Sequence, residues 1–379
     1  MRSDVPGCFG FEVLVRHGAA RLGRLWTAHG EVETPVFMPV GTQGTVKALL
    51  PEQVRAAGHG IILANTYHLL LRPGTEVVQA HGGLHRMMGW DGAILTDSGG
   101  FQVYSLASLR QVTERGVTFR SHIDGSLHEL TPERAVAVQE ALGSDIAMVL
   151  DVCPPSTAGR SELERAVETS TAWAGRCLAA RSRPDQAMFA IVQGGLDMSL
   201  RTRHARALRQ MPFDGFAIGG LSVGEPPAQM YPVAEATAAM LPQDRPRYLM
   251  GVGMPTDLVH CVMGGVDMFD CVFPTRAARN GLLITSEGRL VIKHARHRMD
   301  LSPPDPACDC PLCSRFSRAY LRHLFMAGEI LAAVLATIHN LHFYARLMGE
   351  VRRAIRDGTI AELAARIDTV HARQGGEED

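Results

Sequence analysis

Short apolar segments recur along the chain, and segments with helical spacing separate most of them. The apolar segments are residues 35–40, 60–64, 92–96, 145–150, 187–192, 214–218, 247–250 and 265–269. The helical segments are residues 52–57, 75–81, 131–142, 161–180, 198–210, 228–240 and 256–263. Eight strands that alternate with helices predict an α/β protein built as a (β/α)8 TIM barrel. A doubly wound sheet is the alternative.

Polar residues or glycine follow most of the predicted strands. They are Asn65, Asp97, Asp151, Gln193, Gly220, Gly251 and Asp270. In a barrel of this kind the active site lies at the carboxyl ends of the strands, so we expect these residues to line one pocket. Asp151, Gln193 and the amides around Gly220 would suit the edge of a purine. The alternative for each is an ordinary buried polar group with a structural hydrogen bond.

Outside the eight segments the chain has other patterns. The first 35 residues alternate apolar and polar positions with glycine between them, which predicts one or two β-hairpins that cover the barrel. After the eighth segment, residues 281–291 alternate again, and a proline-rich stretch, 302–306, follows. The chain therefore continues with an insertion before its last helices.

Three of the eight cysteines are clustered directly after the proline-rich stretch. The spacing of Cys308, Cys310 and Cys313 predicts, with one histidine, a closed tetrahedral Zn²⁺ site of the structural kind. His323, His339 and His342 all qualify as the fourth ligand by spacing. We predict one catalytic domain over residues 1–379, with a zinc-binding insertion at residues 281–345 inside it.

Composition and charge favour a soluble cytoplasmic protein. The formal net charge of −1 over 379 residues argues against a surface that binds nucleic acid everywhere, but it allows a local basic patch. No segment approaches the roughly 18 consecutive apolar residues of a membrane span. The N-terminus lacks the apolar region of a secretory signal, so we expect no membrane partner.

Two aspartates are the candidate catalytic residues. Asp97 precedes Gly99 and Gly100, whose lack of side chains lets a ligand approach the backbone closely. Asp270 ends the eighth predicted strand and precedes a predicted turn at Pro274 and Thr275. Two carboxylates on one barrel rim suit the nucleophile and the acid/base of glycosyl transfer.

A run of positive charge follows Asp270. Its cations are Arg276, Arg279, Arg289, Lys293, Arg296 and Arg298, opposed only by Glu287. A solvated surface is the usual meaning of such a run. Beside a candidate nucleophile it is better interpreted as a track for the phosphates of a nucleic acid.

Several long motifs resemble the tRNA-guanine transglycosylases of the bacterial type, the queuine tRNA-ribosyltransferase family, over roughly residues 10 to 350. The motifs are Thr96-Asp-Ser-Gly-Gly-Phe-Gln102, Val192-Gln-Gly-Gly195, Gly219-Gly-Leu-Ser-Val-Gly-Glu225, Tyr248-Leu-Met-Gly-Val-Gly253, residues 268–281, the cysteine cluster and His339-Asn340. The resemblance implies exchange of the guanine at the anticodon wobble position of GUN tRNAs for 7-aminomethyl-7-deazaguanine, in queuosine biosynthesis. It further implies a homodimer that binds the tRNA anticodon loop.

The resemblance also implies residue roles. Asp270 would attack the ribose and hold the tRNA covalently, Asp97 would be the general acid/base, and His339 would complete the zinc site. The residues implied to bind the base are Asp97, Ser98, Gly99, Gly100, Phe101, Asp151, Gln193, Gly220, Leu221 and Met250. Those implied to bind RNA are Gly251, Val252, Gly253, Met254, Pro255, Thr256, Asp257, Thr275, Arg276, Ala277, Ala278 and Arg279.

Four further positions bear on the substrate. Val223 and Cys153 match the bacterial pattern of a narrow pocket, whereas Val152 and Met254 stand where the family often has an acid and a lysine. Two other functions remain open from the sequence. A catalytically silent RNA-binding subunit is disfavoured because both aspartates are present, and a barrel hydrolase with an unrelated zinc site is disfavoured by the polar rim and the basic run.

Overall fold

A closed barrel of parallel strands is the centre of the computed structural model, which describes residues 9–106 and 110–371. The strands are β1 (Gly10–His17), β2 (Ala20–Thr27), β3 (Gly30–Thr34), β4 (Val36–Gly41), β5 (Ile61–Ala64), β6 (Ala93–Thr96), β7 (Arg110–Val112), β8 (Val117–Arg120), β9 (Leu127–Leu130), β10 (Ile146–Met148), β11 (Ala187–Val192), β12 (Gly215–Ile218), β13 (Arg247–Leu249), β14 (Met268–Cys271), β15 (Leu282–Thr285) and β16 (Gly288–Val291).

The helices lie mostly between these strands. They are α1 (Pro51–Ala56), α2 (Thr66–Leu71), α3 (Thr75–Ala80), α4 (Leu84–Met88), α5 (Gly100–Leu106), α6 (Pro132–Leu142), α7 (Arg160–Ala180), α8 (Met198–Leu208), α9 (Pro227–Met240), α10 (Pro255–Met263), α11 (Phe273–Arg279), α12 (Arg318–Ala327), α13 (Ile330–Asp357) and α14 (Ile360–His371), with a 3₁₀ turn at Ala295–His297.

The barrel confirms the predicted (β/α)8 architecture. Its strands follow the order β4, β5, β6, β10, β11, β12, β13 and β14, and β14 pairs in parallel with β4 to close the ring. Each of the eight predicted segments overlaps one of these strands. Strands such as β11 are buried along their whole length, because side chains fill the barrel on one face and helices cover the other.

The N-terminal strands form the predicted hairpin cover. β1, β2 and β3 pair antiparallel, and β2 lies against the amino ends of the barrel strands. There the buried Arg21 forms an ion pair with Asp267, the residue before β14. The same carboxylate accepts the Arg247 amide at 2.7 Å, and the Asp267 carbonyl accepts the Val36 amide at 2.8 Å. This network joins the cover to the seam between β14 and β4.

Two elements differ from the expectations. β7, β8 and β9 form a small antiparallel sheet between α5 and α6, which the sequence patterns did not indicate. The turn predicted at Pro274 and Thr275 is wrong: both residues belong to the first turn of α11. Proline suits that position because its missing N–H has no acceptor in a first helical turn.

The C-terminal part contains a β-hairpin, β15–β16, the cysteine cluster and three helices. The 28-residue helix α13 is long and apolar enough to cross a membrane by length and composition, but 56% of its most apolar window is buried within the protein. It packs against α11, β4 and β15, so it is a core helix of this fold. α13 runs through residue 345, where the insertion was predicted to end; the boundaries of the insertion stay a prediction.

We predict that Asp267→Ala lowers the free energy of unfolding by about 3–5 kcal/mol, because Arg21 would be left buried without its partner. Urea denaturation monitored by circular dichroism measures this change. The control is Asp91→Ala, which removes a surface ion pair with Arg55 and is expected to leave the unfolding midpoint unchanged. An equal loss in both variants would contradict the importance of the buried pair.

Candidate active site and metal centre

Asp97 lies in a buried position directly after β6, at the carboxyl end of the barrel. Its carboxylate accepts hydrogen bonds from the Asn65 side-chain amide at 2.5 Å, from the Thr66 backbone amide at 2.9 Å and from the Gly99 amide at 3.1 Å. Burial nevertheless raises the pKa of Asp97 to about 7, and the negative charges of Asp270 and Asp151 contribute to the rise. Asp97 can therefore give or take a proton near neutral pH.

Asp270 lies on β14 at the same rim. The Tyr248 hydroxyl donates to one of its carboxylate oxygens at 2.5 Å, and the Gly251 amide donates to the same oxygen at 2.9 Å. Burial raises the pKa of Asp270, and these two hydrogen bonds oppose the rise because they favour the charged form. Two donors thus hold one oxygen and fix the orientation of the carboxylate.

Tyr248 is a site residue that the sequence reasoning missed. It belongs to the motif at residues 248–253, but its hydrogen bond to Asp270 depends on the pairing of β13 with β14. An alternation of residues within one segment cannot show which strand will be its neighbour. The only available signal was a tyrosine, a residue with a polar tip, inside an apolar run.

The next part of the rim forms a polar pocket. The Gln193 side-chain amide donates to Asp151 at 2.6 Å, and burial raises the pKa of Asp151 to about 6. The Gln193 Oε1 atom is buried and has no hydrogen-bond partner among the described residues. A side chain at Gly220 would put its Cβ 2.4 Å from this oxygen, so the position requires glycine. The pocket therefore offers an unpaired acceptor beside an acid.

An apolar cleft continues from this pocket. It is lined by Asp151, Val152, Cys153, Val103 and Trp173 among others. Val152, where the family often has an acid, packs its side chain against the barrel core, so the cleft is apolar on that side. Cys153 is buried and its thiol has a raised pKa because of that burial, which makes it a poor nucleophile.

The other predicted base-binding residues lie near the same rim with different exposure. Ser98 and Leu221 are buried, Met250 and Gly100 are half-buried, and 47% of the Phe101 surface is exposed. An exposed aromatic ring beside the pocket is available to stack on a flat ring. The structure brings these residues together at one end of the barrel, and their contacts with a base stay a prediction.

The predicted RNA-binding residues are mostly buried. Gly251 and Arg276 are exposed, and Met254 and Arg279 are half-buried. The buried ones are Val252, Gly253, Pro255, Thr256, Asp257, Thr275, Ala277 and Ala278. Within the basic run, Lys293, Arg296 and Arg298 are exposed as well. The segment that follows Asp270 therefore presents several exposed cations, and direct side-chain contact with RNA is open to the exposed members only.

The cysteine cluster is a buried candidate metal centre. The sulfur atoms of Cys308, Cys310 and Cys313 lie 3.6, 3.5 and 3.3 Å from His339 Nδ1. Tetrahedral ligands around zinc, with S and N bonds near 2.3 and 2.0–2.1 Å, would be separated by about 3.5 Å. The other ring nitrogen of His339 lies 3.0 Å from the Ile284 carbonyl, which holds the tautomer with a free Nδ1.

The geometry favours one of the three candidate histidines, and among the described residues His323 belongs to no cluster of metal-ligating groups. His339 faces all three sulfurs, whereas His342 lies 2.8 Å from the exposed Asp309. These four buried residues can hold a metal ion. The fourth ligand left open by spacing is thus assigned to His339.

Comparisons with known proteins identify the family of the chain. The family model for queuine tRNA-ribosyltransferase matches residues 16–373. A queuine tRNA-ribosyltransferase of Pelotomaculum thermopropionicum is 57% identical over 356 residues, which cover 94% of this chain and 96% of that protein. One of Sorangium cellulosum is 58% identical over 363 residues, 96% of this chain and 92% of that protein. One of Moorella thermoacetica is 56% identical over 350 residues, which cover 92% of this chain and 94% of that protein.

A match over nearly the whole chain, together with two buried acids on one barrel rim, leaves no role for the silent subunit or the unrelated hydrolase. The chain therefore belongs to the queuine tRNA-ribosyltransferase family and is a tRNA-guanine transglycosylase.

Proposed function

We propose that this enzyme replaces the wobble guanine of tRNAs with a GUN anticodon by 7-aminomethyl-7-deazaguanine, in queuosine biosynthesis. Its substrates would be the tRNAs for aspartate, asparagine, histidine and tyrosine. The observation that carries the proposal is the pair of desolvated acids, Asp97 and Asp270, each held by its own donors on one rim. Such a pair supports double displacement at a sugar carbon.

In the first half-reaction, Asp270 attacks the anomeric carbon of the ribose and the bond from this carbon to guanine breaks. Asp97 gives its proton to the leaving base. In the second half-reaction, the Asp97 carboxylate takes a proton from the incoming base, whose nitrogen then attacks the anomeric carbon and releases Asp270. The tRNA thus stays covalently bound between the two steps, and water must be kept out of the site.

The polar pocket would hold the base during both steps. Asp151 and the Gln193 Oε1 atom accept from its N–H groups, and the Gly220 amide donates to its carbonyl oxygen. Phe101 and Met250 lie on the rim where they would cover the faces of the ring. The exposed Arg276 and the cations after it would bind the phosphates of the anticodon loop. A loop base is extruded at lower cost than a paired one.

The decisive experiment incubates the protein with a GUN tRNA and radiolabelled guanine. We expect label to enter the tRNA, and we expect a protein–tRNA adduct that survives denaturing electrophoresis. Asp270→Ala should give neither, because the carboxylate that bonds to the ribose is gone. Asp214→Ala is the control, since Asp214 pairs with Arg181 before β12, at the other end of the barrel. An adduct that persists in Asp270→Ala would overturn the assignment of the nucleophile.

A second prediction concerns pH. The pKa of Asp97 is raised to about 7, so its proton is present below that pH and lost above it. The single-turnover rate of adduct formation should therefore fall as the pH rises through about 7. At acid pH the rate should fall when Asp270 becomes protonated. The two apparent pKa values of the pH profile describe the interacting pair of acids and not either residue alone. Rapid-quench measurements from pH 5 to 9, about the range in which enzyme acids and bases are tuned, follow both limits.

The control for the pH profile is Asp97→Asn. This variant should lower the rate by about 10²–10⁴-fold, the usual contribution of a general acid, and should abolish the fall above neutral pH. If the rate of the variant fell above neutral pH as it does in the wild type, the group that titrates near pH 7 would not be Asp97.

We further propose that the metal is Zn²⁺, one per subunit. Three thiolates and one imidazole in a closed buried set fit zinc, and a closed set has no position for substrate. Zinc bound to these four residues would hold the insertion folded. It would take no part in the base exchange.

The insertion also carries an exposed apolar patch, Met299, Leu301, Met326, Ile330 and Leu331. Each of the five is at least 41% exposed, and Met299, Leu301 and Ile330 exceed 80%. Large apolar side chains grouped on a surface mark protein–protein contacts. We propose that the patch takes part in a homodimer contact and that the enzyme works in the cytoplasm.

Loss of the metal should therefore weaken both the insertion and the dimer. We predict that Cys310→Ser lowers the zinc content below one equivalent per chain, as measured by inductively coupled plasma mass spectrometry. We also predict that the variant is a monomer in sedimentation velocity. The control is Cys261→Ser, which changes a buried cysteine of α10 that is not part of the cluster. Full zinc in Cys310→Ser would refute the site, and a stable dimer without zinc would refute the dependence of the dimer on it.

A further inference from the structure

Arg201, on α8, is a fully buried cation behind the wall of the polar pocket. Among the described residues it forms no ion pair; its guanidinium instead donates to backbone carbonyls. The acceptors are Gly195 at 2.6 Å, Gly219 at 2.9 Å, Gly220 at 3.4 Å and Val192 at 3.5 Å. A buried charge without a counter-ion is costly, so its persistence here needs an explanation.

The positive charge is retained at neutral pH. Burial lowers the pKa of Arg201 to about 10, and the negative charge of Glu225 opposes that change. Since this value is still above 7, the side chain is protonated under physiological conditions. Glu225 itself bonds to the Ser222 and Val223 amides, so its carboxylate is occupied elsewhere.

One of these carbonyls belongs to a peptide group that faces the pocket. The Gly219 carbonyl and the Gly220 amide form the same peptide unit, and in a trans peptide the C=O and N–H bonds point in opposite directions. The Gly220 amide accordingly faces the Cys153 thiol on the pocket side, with no oxygen acceptor among the described residues. The guanidinium lies at the rear of the peptide, and at the front lies an N–H that faces a thiol, a weak acceptor that the carbonyl oxygen of a base can replace.

We propose that Arg201 polarises the Gly219–Gly220 peptide, and that the strengthened Gly220 amide stabilises the negative charge that develops on the carbonyl oxygen of the departing base. The inference rests on the proposed base exchange. A hydrogen bond to the carbonyl of a peptide makes its N–H a stronger donor, because bonds in a chain polarise one another. Donors aimed at developing charge in a dry site are effective catalytic groups. Arg201 is in this sense a positioning residue that acts through the peptide.

A purely structural Arg201 is the alternative, because the same four bonds also tie the loops after β11 and β12 together. The two roles differ in what they require of the substrate. Structural damage would slow the reaction of every base. Loss of polarisation would slow only bases that carry an oxygen opposite the Gly220 amide.

The experiment uses anticodon stem–loop RNAs with guanine, hypoxanthine or 2-aminopurine at the wobble position. Hypoxanthine keeps the carbonyl oxygen and lacks the amino group, whereas 2-aminopurine lacks the oxygen. Single-turnover adduct formation is measured for the wild type, Arg201→Met and Arg201→Lys. We expect Arg201→Met to slow the reaction of the guanine and hypoxanthine RNAs by about 10–100-fold, and that of the 2-aminopurine RNA by less than about 3-fold. The first effect is smaller than the loss of a whole oxyanion-hole donor, because the Gly220 amide itself is kept. Arg201→Lys, which keeps the charge, should recover part of the rate for the first two.

The matched control is Arg247→Met. Arg247 is also buried, its pKa is likewise lowered to about 10 by burial, and it donates to the carbonyls of Leu241 and Gly265 at 3.1 and 3.4 Å, but it lies at the amino end of the barrel. Thermal unfolding of both variants shows whether the folded state is equally affected. The control should slow all three RNAs to a similar small extent.

The outcomes separate this inference from the proposed function. If the wild type forms no adduct with guanine RNA, the base exchange itself fails. If the wild type reacts and Arg201→Met slows all three RNAs equally, or none, the polarisation of the peptide is refuted while the base exchange stands.

Discussion

Closure of the parallel barrel is the constraint on which the rest of the molecule depends. The pairing of β14 with β4 makes the last strand a neighbour of the first, so that the carboxyl ends of all eight strands surround one space. Asp97, Asp151 and Asp270 come from distant parts of the chain and meet only because the ring closes. The buried pair of Arg21 and Asp267 lies at the opposite end of the same seam. The buried ion pair that stabilises the barrel thus lies at one end, and the candidate catalytic residues lie at the other.

The same closure determines the electrostatics of the site. Burial is the largest cause of the raised pKa of all three acids. Hydrogen bonds then lower the pKa of each acid to a different extent, because donors favour the charged form. Asp97 has neighbouring acids and a pKa near 7, which suits proton transfer, whereas the donors to Asp270 favour the carboxylate that a nucleophile needs. The surroundings thus suit two identical side chains to the different roles proposed for them.

The sequence predicted most of the barrel because its strands are short apolar runs between helices with clear periodicity. The three-stranded sheet β7–β9 was not predicted, since its strands have three or four residues each, too few for an alternation of apolar and polar positions to be recognised. The two acids and the three cysteines could be found because the acids stand at predicted strand ends and the cysteines form a cluster, whereas spacing left His339 as one of three candidate histidines. Tyr248 and Arg201 could not: their partners are a neighbouring strand and backbone carbonyls, and neither partner leaves a local pattern in the sequence.

The metal centre and the active site are joined by one residue of α13. Asn340, next to the ligand His339, accepts the Ile284 amide at 3.0 Å and donates to the carbonyls of Pro274 and Leu282 at 2.9 and 3.1 Å. Pro274 lies in the first turn of α11, the helix that follows Asp270 and carries the exposed Arg276. Because one turn of α13 bonds to both β15 and α11, a metal that fixes His339 also fixes the segment that carries Arg276 and follows Asp270. In the proposed base exchange, the insertion would therefore support the side of the site that binds RNA and would contribute no reacting group.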